Sequence, residues 1–334
     1  MKRSNLYFLA LLMLAACSTP QGHEVDREVM AALGESIKNE FAEKAEEYRT
    51  SLSDDPLDVE NLMGFAESEI LLYVFGYFPR EETLPEAREA FHEIHTIDPL
   101  ASNTLKLSGV LNFLDWKWNE AETDLLRAID ADPCNLNARH WYSLYLSAMG
   151  RFDEAIAQSD TIATMDTDQD YLIGRGSLFY FARRNEELKD LMIRAVARDS
   201  AVAWGYDWLG MAYIELGEYE NSLKTYKRAF ELADGTVEVG AGYGHALGLA
   251  GEYEAAKRMA DYYETAAREH YLPPVQRAFI HIGIGEYDKA IHLLEQACEE
   301  KSWFLEFMQV EPWLDPLRED NRFKEIMKRM EFPE

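Results

Sequence analysis

The stretch that decides the fold is Ala203-Trp204-Gly205-Tyr206-Asp207-Trp208-Leu209-Gly210-Met211-Ala212-Tyr213, continuing through Gly217-Glu218-Tyr219, Leu223, Tyr226 and Ala229 to Ala233-Asp234-Gly235. Leu209, Tyr213 and Leu216, then Leu223, Tyr226 and Phe230, recur at steps of three and four, which places each set on one helical face. Gly217 separates the two helices. Gly210, Ser222 and Ala229 are small where the helices must approach after folding back, and Tyr213 and Tyr226 are large enough to fill the space between.

Working outward, the turn position of Gly217 recurs at Gly251 and Gly285, and backwards at Arg183, Gly150 and Trp116, every 33 or 34 residues. Five places on stand Ala121, Ala155, Leu188, Ser222, Ala256 and Ala290; the close-packing position of the first helix reads Gly109, Ser143, Gly176, Gly210, Gly244 and Ala278. Such self-similarity marks a repeat architecture. The pattern resembles the tetratricopeptide repeat, which implies an all-α, right-handed superhelical solenoid.

Six regular units cover residues 102–302, divided at about 135, 168, 202, 236 and 270. Before them, 43 residues separate Pro56 from Pro99 but only 34 separate Pro99 from Pro133. The extra residues of unit 57–99 are expected in a long inner turn at 77–84, between helices at 59–76 and 85–96. A degenerate unit at 25–56, with Tyr48 in its aromatic position, brings the expected array to about eight helix pairs. The periodicity stops after Ser302. Trp303-Phe304-Leu305, Phe307, Val310 and Pro312-Trp313-Leu314 precede a helix whose Phe323, Ile326, Met327 and Met330 share one face. A one-sided helix suits the open apolar end of a solenoid, so 303–334 is expected to be a cap, with docking of its aromatics as the alternative. Asp115-Trp116-Lys117-Trp118-Asn119-Glu120-Ala121 and His140-Trp141-Tyr142 resemble the repeat portion of bacterial signalling proteins that carry Ser/Thr-kinase, cyclase or winged-helix domains, and 303–334 resembles the end element of those arrays. The catalytic and DNA-binding domains themselves have no counterpart in this sequence.

At the other end, Lys2 and Arg3 precede an apolar run at 6–16, too short for a stable membrane span. Leu14-Ala15-Ala16-Cys17 resembles the lipobox of bacterial lipoprotein signals. The resemblance implies removal of residues 1–16, lipidation of Cys17, a polar tether at 17–24, and a place in the cell envelope, with Ser18 favouring the outer membrane facing the periplasm. Cys134 and Cys298 lie about five repeats apart, too far for a disulfide.

With Lys+Arg 33 against Asp+Glu 61 the net charge is −28, which opposes binding to nucleic acid. His92-Glu93-Ile94-His95 lacks the spacing of a zinc-protease signature, and no phosphate loop, Gly-x-Ser-x-Gly elbow or Cys-x-x-Cys is present. No catalytic residue, metal site or cofactor is expected. Within the resemblance, first helices line the concave groove, and its exposed positions are expected to be Asn103, Lys106, Asn137, His140, Asp170, Ser177, Tyr180, Trp204, Asp207, Glu238 and His245. Aromatic and acidic members suit a protein or peptide partner; the alternative for Tyr180 and Trp204 is packing between repeats. The sequence therefore reads as a non-enzymatic, membrane-anchored adaptor, with a ligand- or peptide-sensing component of a signalling system as the second reading.

Overall fold

The computed structural model describes residues 27–165, 169–232 and 237–333, with side chains from 41 onward and, beyond the first gap, from 173. A first helix, α1 (Arg27–Asp54), is followed by seven antiparallel pairs: α2/α3 (Val59–Val74, Arg80–Ile97), α4/α5 (Ser102–Leu114, Trp118–Ala131), α6/α7 (Leu136–Ala148, Phe152–Met165), α8/α9 (Gln169–Phe181, Asn185–Arg198), α10/α11 (Ala203–Glu215, Tyr219–Leu232), α12/α13 (Val237–Leu249, Tyr253–Ala266) and α14/α15 (Pro274–Ile284, Tyr287–Glu300). Two 3₁₀ turns, Leu305–Phe307 and Pro312–Leu317, lead into α16 (Asn321–Met330). The molecule is an all-α solenoid.

Each regular pair turns on the same backbone device. The residue at the turn position has positive φ at Gly150, Gly217, Gly251 and Gly285 and also at Trp116 and Arg183. The next residue's N–H reaches back to the preceding helix, as in Glu218 to Tyr213 O (2.8 Å) and Arg184 to Phe179 O (2.9 Å). This closes the otherwise orphaned carbonyls of the first helix. A side chain at positive φ costs roughly 1–2 kcal/mol relative to glycine, so Trp116 and Arg183 need compensation, which the C-terminal segment supplies.

Packing within pairs follows the small residues. Tyr226 is fully buried between α10 and α12, where a Cβ on either Gly210 or Gly242 would come within 2.6 Å of its ring. Ser222 is small enough to bring α11 against α10 and donates its hydroxyl to Gly210 O at 3.0 Å.

The early part of the array departs from expectation twice. α1 is one continuous helix rather than a pair; its second half packs like a repeat helix, with Tyr48 set against Gly64 of α2. In unit 57–99 the added residues lengthen both helices, to 16 and 18 residues, and the connection is short. Helix α3 begins at Arg80 and carries Pro85 inside it. Glu81 and Glu82 in its first turn favour that earlier start through the helix dipole.

The superhelix closes on itself. Phe75, just after α2, lies 6.3 Å from the Trp204 ring of α10. Tyr73 donates its hydroxyl to Lys301 O at the end of α15. A cleft of about 520 Å³ opens along this seam between Arg80, Leu84 and Arg88 of α3 and residues 299–301.

Candidate interaction surfaces

The inner wall of the superhelix is occupied by the chain's own C-terminal segment. Phe307 stacks on Phe181 of α8 (4.7 Å, 6° between planes) and meets Phe113 of α4 edge-on at 6.2 Å. Trp303 meets Trp141 of α6 at 6.3 Å. Farther along, Trp313 lies flat on His245 of α12 at 4.2 Å and edge-on to Phe279 of α14 at 5.1 Å. Leu305, Glu306, Phe307 and Met308 are all buried. The segment is thus core as much as cap. α16 does pack on α15, but it also reaches α5, where Trp118 donates its indole N–H to Met330 O at 2.9 Å.

Polar groups fix this segment in register. Tyr180 donates to Glu311 Oε1 at 2.5 Å, Gln309 donates to Ala148 O at 2.5 Å, and Arg183 pairs with Asp315 at 2.7 Å. Lys301 sits 4.7 Å from the Trp116 ring centre. The two turn residues that are not glycine, Trp116 and Arg183, therefore commit their side chains to the C-terminal segment, which offsets their backbone cost.

The burial has electrostatic consequences. Desolvation pushes Glu306 and Glu311 up to about 8; the Trp116 indole and Arg80 oppose that shift at Glu306, and the Tyr180 hydroxyl opposes it at Glu311. Desolvation, with Glu238 adding repulsion, pushes Asp207 up to about 8, and Glu238 itself rises to about 7 through burial. His245 is lowered to about 4 by burial. Its Nδ1 lies 2.7 Å from Phe279 O; a carbonyl only accepts, so Nδ1 carries the proton. Glu306, Glu311, Asp207 and His245 are therefore held mainly in their neutral forms at neutral pH, unsuited to attract a charged ligand across the wall.

The groove positions read from the sequence divide accordingly. Lys106, Ser177, Tyr180, Asp207 and His245 are buried rather than exposed: Lys106 is paired with Glu67, and Ser177 donates to Gly174 O at 3.0 Å. Asn137, His140, Trp204 and Glu238 are half-buried. Only Asn103 is exposed, and its side-chain oxygen accepts from Asn135 at 2.8 Å. The side chain of Asp170 and all of Cys17 lie outside the described residues. Tyr180 and His245 are buried because Glu311 and Trp313 of 303–317 lie against them, a long-range packing that local periodicity does not encode. Among the described residues no group of three or more His, Cys, Asp or Glu could hold a metal ion, and Cys134 and Cys298 are free.

Residues 205–235, the stretch from which the fold was read, match the tetratricopeptide repeat. No curated protein matches the chain. Among solved structures, the repeat array is similar to the Cut9–Hcn1 hetero-tetramer of the APC/C, with a TM-score of 0.59 at 14% identity over 88% of this chain and 53% of that one. It is also similar to a tetratricopeptide repeat protein from Parabacteroides merdae, with a TM-score of 0.52 at 14% identity over 81% and 98% of the two chains, and to human IFIT1, with 0.54 at 12% identity over 72% and 59%. The chain spans about half the length of the Cut9–Hcn1 chain it matches. At these identities the likeness establishes the fold.

Proposed function

We propose that this repeat protein is a non-enzymatic scaffold, anchored to a bacterial membrane through a lipid on Cys17 and holding a protein partner in the cell envelope. The observation that carries the reading is the tetratricopeptide array itself: its helices are engaged in mutual packing and its inner wall with the chain's own C-terminus, leaving the outer surface for recognition. Repeat proteins of this kind mediate protein–protein interaction, and the Cut9 neighbour is solved in a hetero-tetramer with Hcn1. The lipobox-like Leu14-Ala15-Ala16-Cys17 supports the anchor. The ligand-sensing alternative loses support from the inner wall, where aromatic side chains already pack against 303–317 and Tyr180 holds Glu311.

The test is expression in a bacterial host with labelled palmitate, followed by cross-linking in intact cells and purification from detergent-solubilised membranes. Label on the wild type but not on Cys17→Ser, with a defined cross-linked partner, is the expected result. An unlabelled chain overturns the anchor; a labelled chain recovered only as an uncross-linked monomer overturns the scaffold.

A further inference from the structure

The first residue of the second helix stands two places beyond each turn residue, and in six consecutive pairs it is Trp118, Phe152, Asn185, Tyr219, Tyr253 and Tyr287. The common turn geometry puts these positions in equivalent places along one edge of the superhelix. Tyr219, Tyr253 and Tyr287 are 37%, 53% and 43% exposed, far more than the buried aromatics of the core. Each lies between two acids: Glu218 and Glu220, Glu252 and Glu254, Glu286 and Asp288. Three of the six, Glu220, Glu252 and Glu254, pair with no cation among the described residues.

The same edge shows, within this molecule, what chemistry covers such a position. Trp118, the equivalent residue of α5, is buried because the end of the chain lies over it: Phe332 stacks on the indole at 4.7 Å with 14° between planes, and Met330 O accepts the indole N–H. The segment that delivers Phe332 is basic on its outer face, with Arg322, Lys324, Lys328 and Arg329. Arg322 reaches Asp288, the acid beside Tyr287, at 2.7 Å. An aromatic residue on the ring and a cation on the flanking acid are thus both observed on this edge, supplied by one short segment.

We infer that the row Tyr219, Tyr253 and Tyr287, with its flanking acids, is a docking surface for a partner polypeptide segment that carries Lys or Arg alternating with aromatic residues. Charge complementarity selects the cations, since the row is acidic and the whole chain carries −28. The phenol rings select against a merely basic chain by stacking with aromatic side chains and receiving cations over their faces. Lys189 on Glu218 (3.2 Å) and Lys289 on Glu286 (2.9 Å) already answer two of the acids, so the middle of the row, Glu220 to Glu254, is where a partner's cations go. This assignment rests on the scaffold reading and deepens it.

The test uses the full chain and a fluorescein-labelled peptide of repeating Lys-Phe-Lys-Gly-Gly, with Lys-Gly-Lys-Gly-Gly as the charge control, in fluorescence anisotropy at near-physiological salt. The Phe peptide is expected to bind at least about tenfold tighter than the Gly peptide, and to lose about tenfold in Tyr219→Ser/Tyr253→Ser/Tyr287→Ser. Leu126→Ser/Ile193→Ser, equally exposed but off the row, is expected to bind like wild type. Unchanged binding by the triple variant, no preference for Phe, or no binding by the wild type overturns the surface. So does a wild-type dimer that dissociates in the triple variant, since the row would then belong to a second copy. Thermal melts of all variants establish that folding is intact. The membrane cross-linking test of the scaffold is read separately, so failure of the row leaves that reading standing.

Discussion

The pairs α4/α5 and α8/α9 differ from the later pairs α10/α11, α12/α13 and α14/α15 at one position. The early pairs turn on Trp116 and Arg183, and both side chains grip the C-terminal segment. The later pairs turn on Gly217, Gly251 and Gly285, where a side chain would meet open space. The backbone is the same in both. The array therefore tolerates strain where a long-range contact offsets it and reverts to glycine where none is available, so a departure from the repeat pattern marks a contact made far away in sequence.

The strongest way to break this comparison is to remove what the early pairs hold. Phe307→Ala empties a site between Phe113 and Phe181 and is expected to cost about 3–5 kcal/mol, read from the midpoint of urea unfolding. A cost below about 1 kcal/mol would mean that the segment is not part of the core.

Next in size is the pH dependence of the segment. Glu306 and Glu311 are held up to about 8 when folded, against 4.5 ordinarily. The unfolded chain ionises first, so the stability these groups contribute is complete below about 4.5 and is lost as pH rises to about 8. A Glu306→Gln/Glu311→Gln variant is expected to gain on the wild type by a few kcal/mol between pH 5 and pH 9, since each tenfold difference in proton affinity between the folded and unfolded chain is worth about 1.4 kcal/mol. Urea midpoints of the two proteins across that range measure the gain. His245, lowered to about 4, acts oppositely, losing stability as pH falls from about 6.5 towards 4, and is common to both proteins.

Within a later pair, Gly210→Ala forces a Cβ to within 2.6 Å of the Tyr226 ring. The expected cost is about 1–3 kcal/mol, measured as a fall in Tm. The turn exchange sharpens the comparison most directly. Gly217→Arg is expected to cost about 1–2 kcal/mol, the full penalty of positive φ. Arg183→Gly is expected to change stability by less than about 1 kcal/mol, because relief of the same strain is set against loss of a half-exposed ion pair. Equal effects in the two directions would remove the distinction. Smallest of all, the Tyr219, Tyr253 and Tyr287 serine variants are each expected to unfold within about 0.5 kcal/mol of wild type.

The helix pairs were legible because their determinants are local: a positive-φ turn at Gly217, a contact between Ser222 and Gly210, an aromatic spacer at Tyr226. What α1 and the pair α2/α3 do was less so. Nothing in a stretch of good helix formers says whether added residues enter a turn or extend a helix, and Pro85 read as a start where it is an interior residue. Of the inner wall, residue identities were legible but their burial was not. Whether Tyr180 and His245 face solvent depends on 303–317, more than fifty residues away. Two signals did point there: Trp116 and Arg183 at turns that otherwise use glycine, and glutamates set in the apolar run from Trp303 to Leu317.

Tyr73 bonded to Lys301 and Trp118 to Met330 also change the statistical mechanics of the array. A linear solenoid couples each unit only to its neighbours and can fray from either end. Here the two ends are tied to distant units, so no repeat can melt without breaking contacts made elsewhere, and partial unfolding is penalised. The closed array gains cooperativity at the expense of speed: contacts between residues more than two hundred positions apart must wait for the chain to find itself, and folding is correspondingly slow.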